Sequence, residues 1–217
     1  YVEVIEVSLY LEDGVISEHQ KLNISNGKNS VFLIGDSIRQ GYCPFTKREL
    51  APIADVVFPN DNCRFTQYTY VNLRGWRNHF KEPEKVKVVY WNNGHWDIAH
   101  WEGADEPLNS IEIYTKMLVR IYRRLREDYP NASIIFSTTT PMNPNRSVGV
   151  NPRSTEEIKK YNTAAKQALS GLSVEIDDVF EWIKNFDETY YNDYCHLTEK
   201  GFEKLGIHVA QVIKKYL

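Results

Sequence analysis

Short apolar runs alternate with longer helical patterns along this chain, and that alternation restricts the fold more than any other feature. The runs are rich in β-branched and aromatic residues, which predicts strands. They lie near residues 31–35, 55–58, 86–91, 133–138 and 173–176. Because each run is apolar on both faces, it is typical of a buried strand in a parallel sheet. The alternation therefore predicts an α/β protein with a parallel sheet of about five strands joined by crossover helices.

Three segments between and after these runs have helical periodicity. Apolar residues recur at i, i+3, i+4 and i+7 over residues 111–125, with Ser110 as a candidate N-cap. Ser154 and Thr155 precede a second helix that should run to about Leu169. A last amphipathic helix is predicted over residues 198–216.

Composition narrows the range of partners. The chain has 217 residues, which is within the usual range for one domain. Lysine and arginine number 26 against 29 aspartates and glutamates, for a net charge of -3. Without a basic stripe, nucleic acid is not an expected partner. No apolar run approaches the roughly 20 residues that cross a bilayer, so no membrane association is expected. The oligomeric state stays open.

Cysteine usage bears on the compartment. The three cysteines, Cys43, Cys63 and Cys195, are widely spaced and contain no CxxC pair. This pattern favours a reducing compartment, and we expect a cytoplasmic protein. The first residue is Tyr1 and not Met, so this expectation leaves room for a processed leader.

Two segments stand apart from the strand and helix pattern. Residues 1–29 have strand-like alternation and then a polar turn, which predicts an N-terminal arm, an edge strand or the remnant of another module. Residues 141–152 form a long loop rich in Pro, Asn and Gly. Loops of this length in compact domains often carry functional residues.

The first candidate for chemistry is Ser37, in the tripeptide Gly35-Asp36-Ser37 at the end of the first predicted strand. Ligands of parallel sheets bind at this carboxyl edge, and a helix that begins there can support an oxyanion with its backbone N–H groups. Ser37 is therefore a candidate nucleophile. The alternative is that it only caps the helix.

The second candidate is the pair Asp193 and His196, three residues apart before the last helix. A serine hydroxyl is a weak nucleophile unless a base takes its proton, and an imidazole held by a carboxylate is such a base. The G-x-S-x-G elbow of α/β-hydrolases is absent, because Arg39 stands where the second glycine would be. A different serine-hydrolase fold is therefore expected.

On these motifs the sequence resembles the SGNH, or GDSL-type, hydrolase family. The first family block is similar to residues 31–39, with the nucleophile on Ser37, and the last block, Asp-x-x-His, is similar to Asp193-Tyr194-Cys195-His196. The resemblance implies a flavodoxin-like, three-layer α/β/α sandwich over residues 30–217. It implies a Ser37-His196-Asp193 triad that needs no cofactor.

The intermediate family blocks are less well matched. The resemblance implies an oxyanion hole formed by the N–H groups of Ser37 and Gly75 and by the side-chain amide of Asn93. Of the third block, Gly-x-Asn-Asp, the chain keeps only Asn93. Asn92 could donate instead if the strand ends one residue earlier, and the Asn-Asn-Gly sequence could also be a plain turn.

Aromatic and charged residues near the same predicted edge suggest how a substrate is bound. Trp91, Trp96 and Arg39 are the predicted substrate-binding side chains, since aromatic faces stack on sugar rings. Core packing is the alternative for Trp91, and for Trp96 and Trp101 core packing and substrate binding stay equally open. His95, Asp97 and His100 crowd one loop, but their spacing matches no established metal site, and no metal is assigned.

Together these features predict a serine esterase for carboxylic esters, acting through an acyl-enzyme. A small-molecule or oligosaccharide ester is the expected substrate, and removal of O-acetyl groups from a carbohydrate is the preferred reaction. Two alternatives stay open. An SGNH-type O-acyltransferase would use the same triad, and a catalytically silent carbohydrate-binding domain would need no Ser37.

Overall fold

The computed structural model describes residues 29–78, 80–146 and 149–217. The interpretation of residues 1–29 falls almost wholly outside them. The described strands are β1 (Asn29–Ile34), β2 (Ala54–Val57), β3 (Val86–Trp91), β4 (Ser133–Ser137) and β5 (Glu175–Asp177). Each corresponds to one of the five predicted strands.

Helices connect the strands and close the chain. They are α1 (Ser37–Leu50), α2 (Thr66–Asn78), α3 (Ile111–Asp128), α4 (Thr155–Leu169), α5 (Val179–Ile183) and α6 (Glu199–Lys214). Single 3₁₀ turns lie at Pro83–Lys85, Trp101–Gly103 and Glu188–Tyr190. No helix in the described part of the chain is both long and apolar enough to span a bilayer.

The five strands form one parallel sheet in the order β2-β1-β3-β4-β5. From β1 the chain therefore goes outward to β2 and then returns past β1 to β3, β4 and β5. Between β1 and β3, Ile34 pairs with Trp91 at the carboxyl ends of both strands. This is a doubly wound arrangement, and its ligand edge lies where the winding reverses. The expected α/β sandwich is confirmed.

Two cores, one on each side of the sheet, explain the three layers. Alternate residues of β1 point to opposite faces, as the strand geometry requires. Val31 and Leu33 pack with α1 and α6, while Phe32 and Ile34 pack with the helices on the other side. All four side chains are fully buried, so β1 is apolar from Val31 to Ile34.

Helices α1 and α6 approach each other closely at Gly206. A side chain there would bring its Cβ within 2.8 Å of the Tyr42 carbonyl oxygen and 2.6 Å of the Phe45 Cβ. The Thr46 hydroxyl donates to the Gly206 carbonyl oxygen across the same contact, at 3.0 Å. The contact fixes the start of α6, and with it the preceding loop, against the helix that begins at Ser37.

Helix α2 is the principal element that the sequence pattern missed. Its buried positions include Thr66, Thr69 and Asn72 beside Leu73 and Trp76. Because three of these five buried residues are polar, the hydrophobic periodicity that marks a surface helix is weak here.

Candidate active site

Ser37 stands at the junction of β1 and α1, on the carboxyl edge of the sheet. Asp36 caps the helix, with its Oδ1 accepting the Ile38 N–H at 3.0 Å. Ser37 is the first residue of the helix, so its own N–H has no helical acceptor. A Cβ on Gly35 would lie 2.1 Å from the Asn92 Oδ1. Only glycine therefore allows β1 to pass β3 closely just before the serine.

Asp193 and His196 form a preorganised pair in the loop before α6. One Asp193 oxygen accepts the backbone N–H groups of Cys195 at 2.8 Å and His196 at 2.7 Å. The other lies 2.7 Å from the His196 Nδ1. Partial burial acts to raise the pKa of Asp193, but the hydrogen bonds from Cys195 and His196 outweigh it and lower that pKa. The carboxylate therefore stays ionised and holds the imidazole with Nδ1 protonated.

The second imidazole nitrogen completes a chain of hydrogen bonds. His196 Nε2 lies 2.8 Å from the Ser37 Oγ, although 159 residues separate the two in sequence. With the proton of the ring on Nδ1, Nε2 accepts the hydroxyl proton of Ser37. This is the geometry in which an imidazole can deprotonate a serine as it attacks a carbonyl carbon. The structure thus brings Ser37, His196 and Asp193 together.

A cavity of about 280 Å³ opens in front of these residues. It is lined by Ser37, Asn62, His95, Trp96, Ala99, Trp101, Asn151, Arg153, Tyr194, Cys195 and His196. Trp96 and Trp101 stack on each other at 5.6 Å between ring centroids, with an interplanar angle of 27°. Trp101 is 42% exposed. The tryptophan pair therefore offers an aromatic wall that a ligand can reach from solvent.

The loop after β2 adds a strained turn beside the cavity. The Cys63 N–H donates to the Gly35 carbonyl oxygen at 3.1 Å, which pins the loop to the end of β1. Arg64 adopts a left-handed backbone with φ of 49°, a conformation that is costly for a residue with a side chain. Its N–H donates to the Asn62 Oδ1 at 2.9 Å. The carboxamide of Asn62 is thereby held in place at the cavity.

Asp97 anchors the start of α2 behind that loop. Its Oδ1 accepts the Thr66 N–H at 3.1 Å, the Thr66 hydroxyl at 2.7 Å and the Asn109 Nδ2 at 2.7 Å. Complete burial raises the pKa of Asp97 to about 6, against the lowering effect of these bonds. Asp97 is thus a scaffold residue of the site.

The interpretation of Gly75 as an oxyanion donor is wrong. The structure places Gly75 inside α2, where a backbone N–H bonds to the carbonyl four residues earlier. Gly75 was assigned because the family resemblance implies a glycine after the second strand. The loop that follows β2 contains no glycine, and the residue with left-handed backbone there is Arg64.

The interpretation of Asn93 as an oxyanion donor is also wrong. Its side chain is fully buried, and its Nδ2 donates to the Arg64 carbonyl oxygen at 3.0 Å and to the Thr69 Oγ1 at 2.9 Å. Both amide protons are therefore committed to the protein. Asn92, the alternative, packs against Gly35 and is not among the residues that line the cavity.

Two of the three predicted substrate-binding residues belong to the scaffold. Trp91 is completely buried and packs edge-on against Phe136, with 4.9 Å between ring centroids. Arg39 is 1% exposed, and its guanidinium donates to the carbonyl oxygens of Gly35 and Pro59. Both predictions are wrong, because these side chains point into the protein. Trp96 does line the cavity.

The three loop residues considered as metal ligands bind different partners. The His95 Nε2 lies 2.8 Å from the Thr140 Oγ1, and the His100 Nε2 lies 2.7 Å from Glu157. Burial lowers the pKa of His95 well below its ordinary value, so its ring is neutral. Among the described residues, potential ligand atoms converge at Asp193, Cys195 and His196. Burial raises the pKa of the Cys195 thiol to about 12, which makes it a poor metal ligand.

Sequence reasoning did not single out Asn62 or Arg153, both of which line the cavity. Arg153 ends the Pro- and Asn-rich loop that had been noted as a candidate functional segment. No local motif surrounds either residue. Their places in the site depend on where distant loops meet.

The chain is similar to known proteins in sequence pattern and in fold. A family model described as the GDSL-like lipase/acylhydrolase family matches residues 33–204. No curated protein matches the chain. Among solved structures, the lipase/acylhydrolase from Enterococcus faecalis is similar, with 20% identity and a TM-score of 0.65, over 86% of this chain and 96% of that chain.

Two further similar structures are esterases by name. Est24, a carbohydrate acetylesterase from Sinorhizobium meliloti, has 14% identity and a TM-score of 0.67, over 88% of this chain and 100% of that one. The acetyl xylan esterase AlAXEase has 14% identity and a TM-score of 0.68, over 85% and 99%. Likeness at this level of identity establishes a shared fold.

Proposed function

Since the chain belongs to the GDSL-like lipase/acylhydrolase family, whose members hydrolyse esters, we propose that it is a serine esterase that removes O-acetyl groups from a carbohydrate. The observation that carries the proposal is the continuous hydrogen-bond chain from Ser37 through His196 to Asp193. It ends at a cavity with an aromatic wall.

The reaction begins with proton transfer from Ser37. His196 Nε2 takes the hydroxyl proton as the Ser37 Oγ attacks the acetyl carbonyl carbon. Asp193 stabilises the imidazolium that forms. When the tetrahedral intermediate collapses, the imidazolium gives its proton to the leaving sugar oxygen, and an acetyl-serine remains. Water deprotonated by His196 then releases acetate and restores Ser37.

Two donors at the cavity are suited to the developing oxyanion. The Ser37 N–H is free at the start of α1. The second donor that we propose is the Asn62 Nδ2, because Asn62 lines the cavity with Ser37 and its Oδ1 is already held by the Arg64 N–H. Donors fixed before the reaction stabilise the transition state without a cost of reorganisation.

The shape of the cavity favours a small acyl group on a sugar. At about 280 Å³ it is at the lower limit for ligand pockets, which suits an acetyl ester better than a long acyl chain. The stacked Trp96 and Trp101 supply the flat apolar surface on which pyranose rings pack. The similar structures named as carbohydrate and xylan acetylesterases support the same substrate class.

A fluorophosphonate probe tests the nucleophile, with intact mass spectrometry as the measurement. One covalent label is expected on the wild type and on Ser170→Ala, an exposed-serine control, and none on Ser37→Ala. A wild-type chain that remains unlabelled would be a silent carbohydrate-binding domain.

Product analysis tests the substrate class. Acetate release from acetylated oligosaccharides is compared with hydrolysis of p-nitrophenyl esters of increasing chain length. Acetyl esters should be preferred, and turnover that rises with acyl length would contradict the proposal. Addition of an acceptor sugar separates an esterase from an acyltransferase, since only a transferase would divert most acetyl groups to the acceptor.

A further inference from the structure

We propose that the carbohydrate substrate is an acidic sugar, and that Arg153 binds its carboxylate while Ser37 attacks a neighbouring acetyl ester. This inference rests on the proposed esterase function and specifies its substrate. It starts from a cation that the triad does not use, in the cavity that holds the triad.

The cavity lining carries a fixed positive charge and no acidic side chain among the described residues. Arg153 is the fixed cation among the lining residues that the structure describes, and no aspartate or glutamate is among them. His95 is neutral, because burial lowers its pKa well below the ordinary value. The carboxylate of Asp193 lies behind His196 and is taken up by that ring and by two backbone N–H groups. An anionic ligand would therefore meet a positive charge and no carboxylate among the described residues that line the cavity.

The hydrogen bonds of Arg153 leave part of its guanidinium unused. Its Nη1 donates to the backbone carbonyl oxygen of His95. Its Nε is buried and has no acceptor in the described part of the protein. Its Nη2 makes no hydrogen bond within the described residues and, unlike Nε, is not buried. A ligand oxygen in the cavity can therefore accept a hydrogen bond from Nη2.

Arg153 is also held in position, which a recognition residue requires. Besides the bond to His95, its guanidinium carbon lies 5.7 Å from the centre of the Tyr194 ring. The neighbouring loop is tied to the same segment, because the His100 N–H donates to the Pro152 carbonyl oxygen at 2.9 Å. Arg153 and the loop that carries Trp101 thus form one wall of the cavity.

A structural role as counter-ion to Asp36 is the rival explanation. Asp36 is fully buried beside Ser37, and its Oδ2 has no hydrogen-bond partner in the described residues. Arg153 therefore does not hydrogen-bond to that carboxyl, although its charge acts to lower the pKa of Asp36 against the raising effect of burial. A counter-ion would affect all substrates equally, whereas a carboxylate site would distinguish charged from neutral sugars.

Carboxylate is the anion that fits these observations. A guanidinium presents a planar set of N–H donors that matches the two oxygens of a carboxylate. A uronic acid carries that group on the same pyranose ring as its acetylated hydroxyls. One sugar unit can therefore place the ring on the tryptophan wall, the carboxylate at Arg153 and the ester at Ser37.

The kinetic test uses two substrates that differ only in charge, an O-acetylated methyl glucuronoside and its carboxamide analogue. Wild type should favour the carboxylate by about 10- to 100-fold in kcat/KM, mainly through KM. In Arg153→Gln, kcat/KM on the carboxylate should fall by about 10- to 100-fold relative to the amide, so that the preference disappears. Arg146→Gln, an exposed arginine of the same loop, is the control for net charge and should behave as wild type.

The outcomes separate this inference from the proposed function. Equal hydrolysis of both substrates by wild type would overturn the carboxylate site and leave the esterase intact. A preference that persists in Arg153→Gln without loss of rate would overturn the assignment of Arg153 and place the carboxylate at another residue. An equal loss on both substrates in a folded Arg153→Gln would support the counter-ion role.

A binding measurement tests the site without catalysis. Calorimetry with the acetylated glucuronoside compares Ser37→Ala with the double variant Ser37→Ala/Arg153→Gln. The dissociation constant of the glucuronoside should be at least about 10-fold lower for Ser37→Ala than for the double variant. Equal affinities would refute the proposal. If wild type hydrolyses no ester at all, the proposed function fails, and this comparison still decides whether Arg153 binds a carboxylate.

Discussion

Two aspartate–histidine pairs of similar geometry occur in the described part of this molecule, and within it one of the two faces a serine. In the first, Asp193 and His196 are 2.7 Å apart in a loop. In the second, Asp177 at the end of β5 lies 2.9 Å from His208 on α6. The pairs share the same chemical groups and nearly the same hydrogen bond, so what surrounds each pair must determine its role.

The surroundings differ in what contacts the imidazole. His196 is bound to Asp193 through Nδ1 and to the Ser37 hydroxyl through Nε2. The side chains of His196 and Asp193 are each about one-third exposed. His208 uses Nε2 itself to bind Asp177, and Trp182 stacks on its ring at 4.3 Å between centroids.

In the second pair, the carboxylate of Asp177 also binds a third group, the hydroxyl of Tyr90. The Tyr90 hydroxyl donates to the Asp177 Oδ2 at 2.6 Å, so the buried carboxylate is shared between a phenol and an imidazole. This network joins β3, β5 and α6. An Asp–His pair is thus a general device for satisfying a buried carboxylate. It becomes a candidate catalyst only where a nucleophile meets the opposite nitrogen.

Removal of the nucleophile or the base should give the largest difference between the pairs. Ser37→Ala and His196→Ala should each lower kcat by roughly 10⁴-fold or more, and the double variant should be no worse, because the two residues act as one unit. His208→Ala should keep kcat/KM within about threefold. It should lower the melting temperature by about 2–4 °C for each kcal/mol lost. Ester hydrolysis and thermal unfolding measure the two effects, and strong turnover by Ser37→Ala would reject the mechanism.

Replacement of the aspartate in each pair tests the same difference, which is a catalytic role for the first pair and a structural role for the second. Asp193→Asn should lower kcat by roughly 10²- to 10⁴-fold, less than Ser37→Ala, because the amide no longer stabilises the imidazolium. Asp177→Asn should leave kcat near wild type and reduce the free energy of unfolding. The contrast fails if the two variants have similar kcat values.

A third difference concerns Asn62, the proposed oxyanion donor, which lines the same cavity as Ser37 and His196. Asn62→Ala should lower kcat by roughly 10²- to 10³-fold with little change in KM or folding, since its amide acts on the transition state. Asn93→Ala should mainly reduce stability, because its two bonds hold Arg64 and Thr69. Steady-state kinetics and chemical denaturation separate these effects. The reverse result would return the donor role to Asn93.

The smallest expected effect is a pH dependence of stability. The pKa of Asp193 is lowered in the folded protein, so its interactions favour folding fully above the ordinary value of 3.8 and are lost as the pH falls through the lowered value. The difference in unfolding free energy between wild type and Asp193→Asn should therefore shrink as the pH falls below about 4. Denaturation at pH 7, 4 and 3 measures it, and a constant difference would contradict the assignment.

Local patterns were enough to predict the strands, three of the helices and the residues now found in the hydrogen-bond chain. Strand and helix signals depend on neighbouring residues, and Asp193 and His196 are close enough in sequence for their bond to be a local property. Ser37 could be located because the end of a parallel strand is a ligand edge. These inferences need no knowledge of which loops meet.

Only the tertiary structure determined the rest of the site. Asn62, Trp96 and Arg153 come from three separate loops, and their meeting at one cavity depends on the strand order and on how each loop folds back. Gly75 and Asn93 were assigned to the oxyanion hole from the resemblance to the family's intermediate blocks. The backbone of α2 and the buried bonds of Asn93 occupy those donors instead. Sequence patterns report short-range periodicity, whereas the availability of a buried donor depends on partners that are distant along the chain.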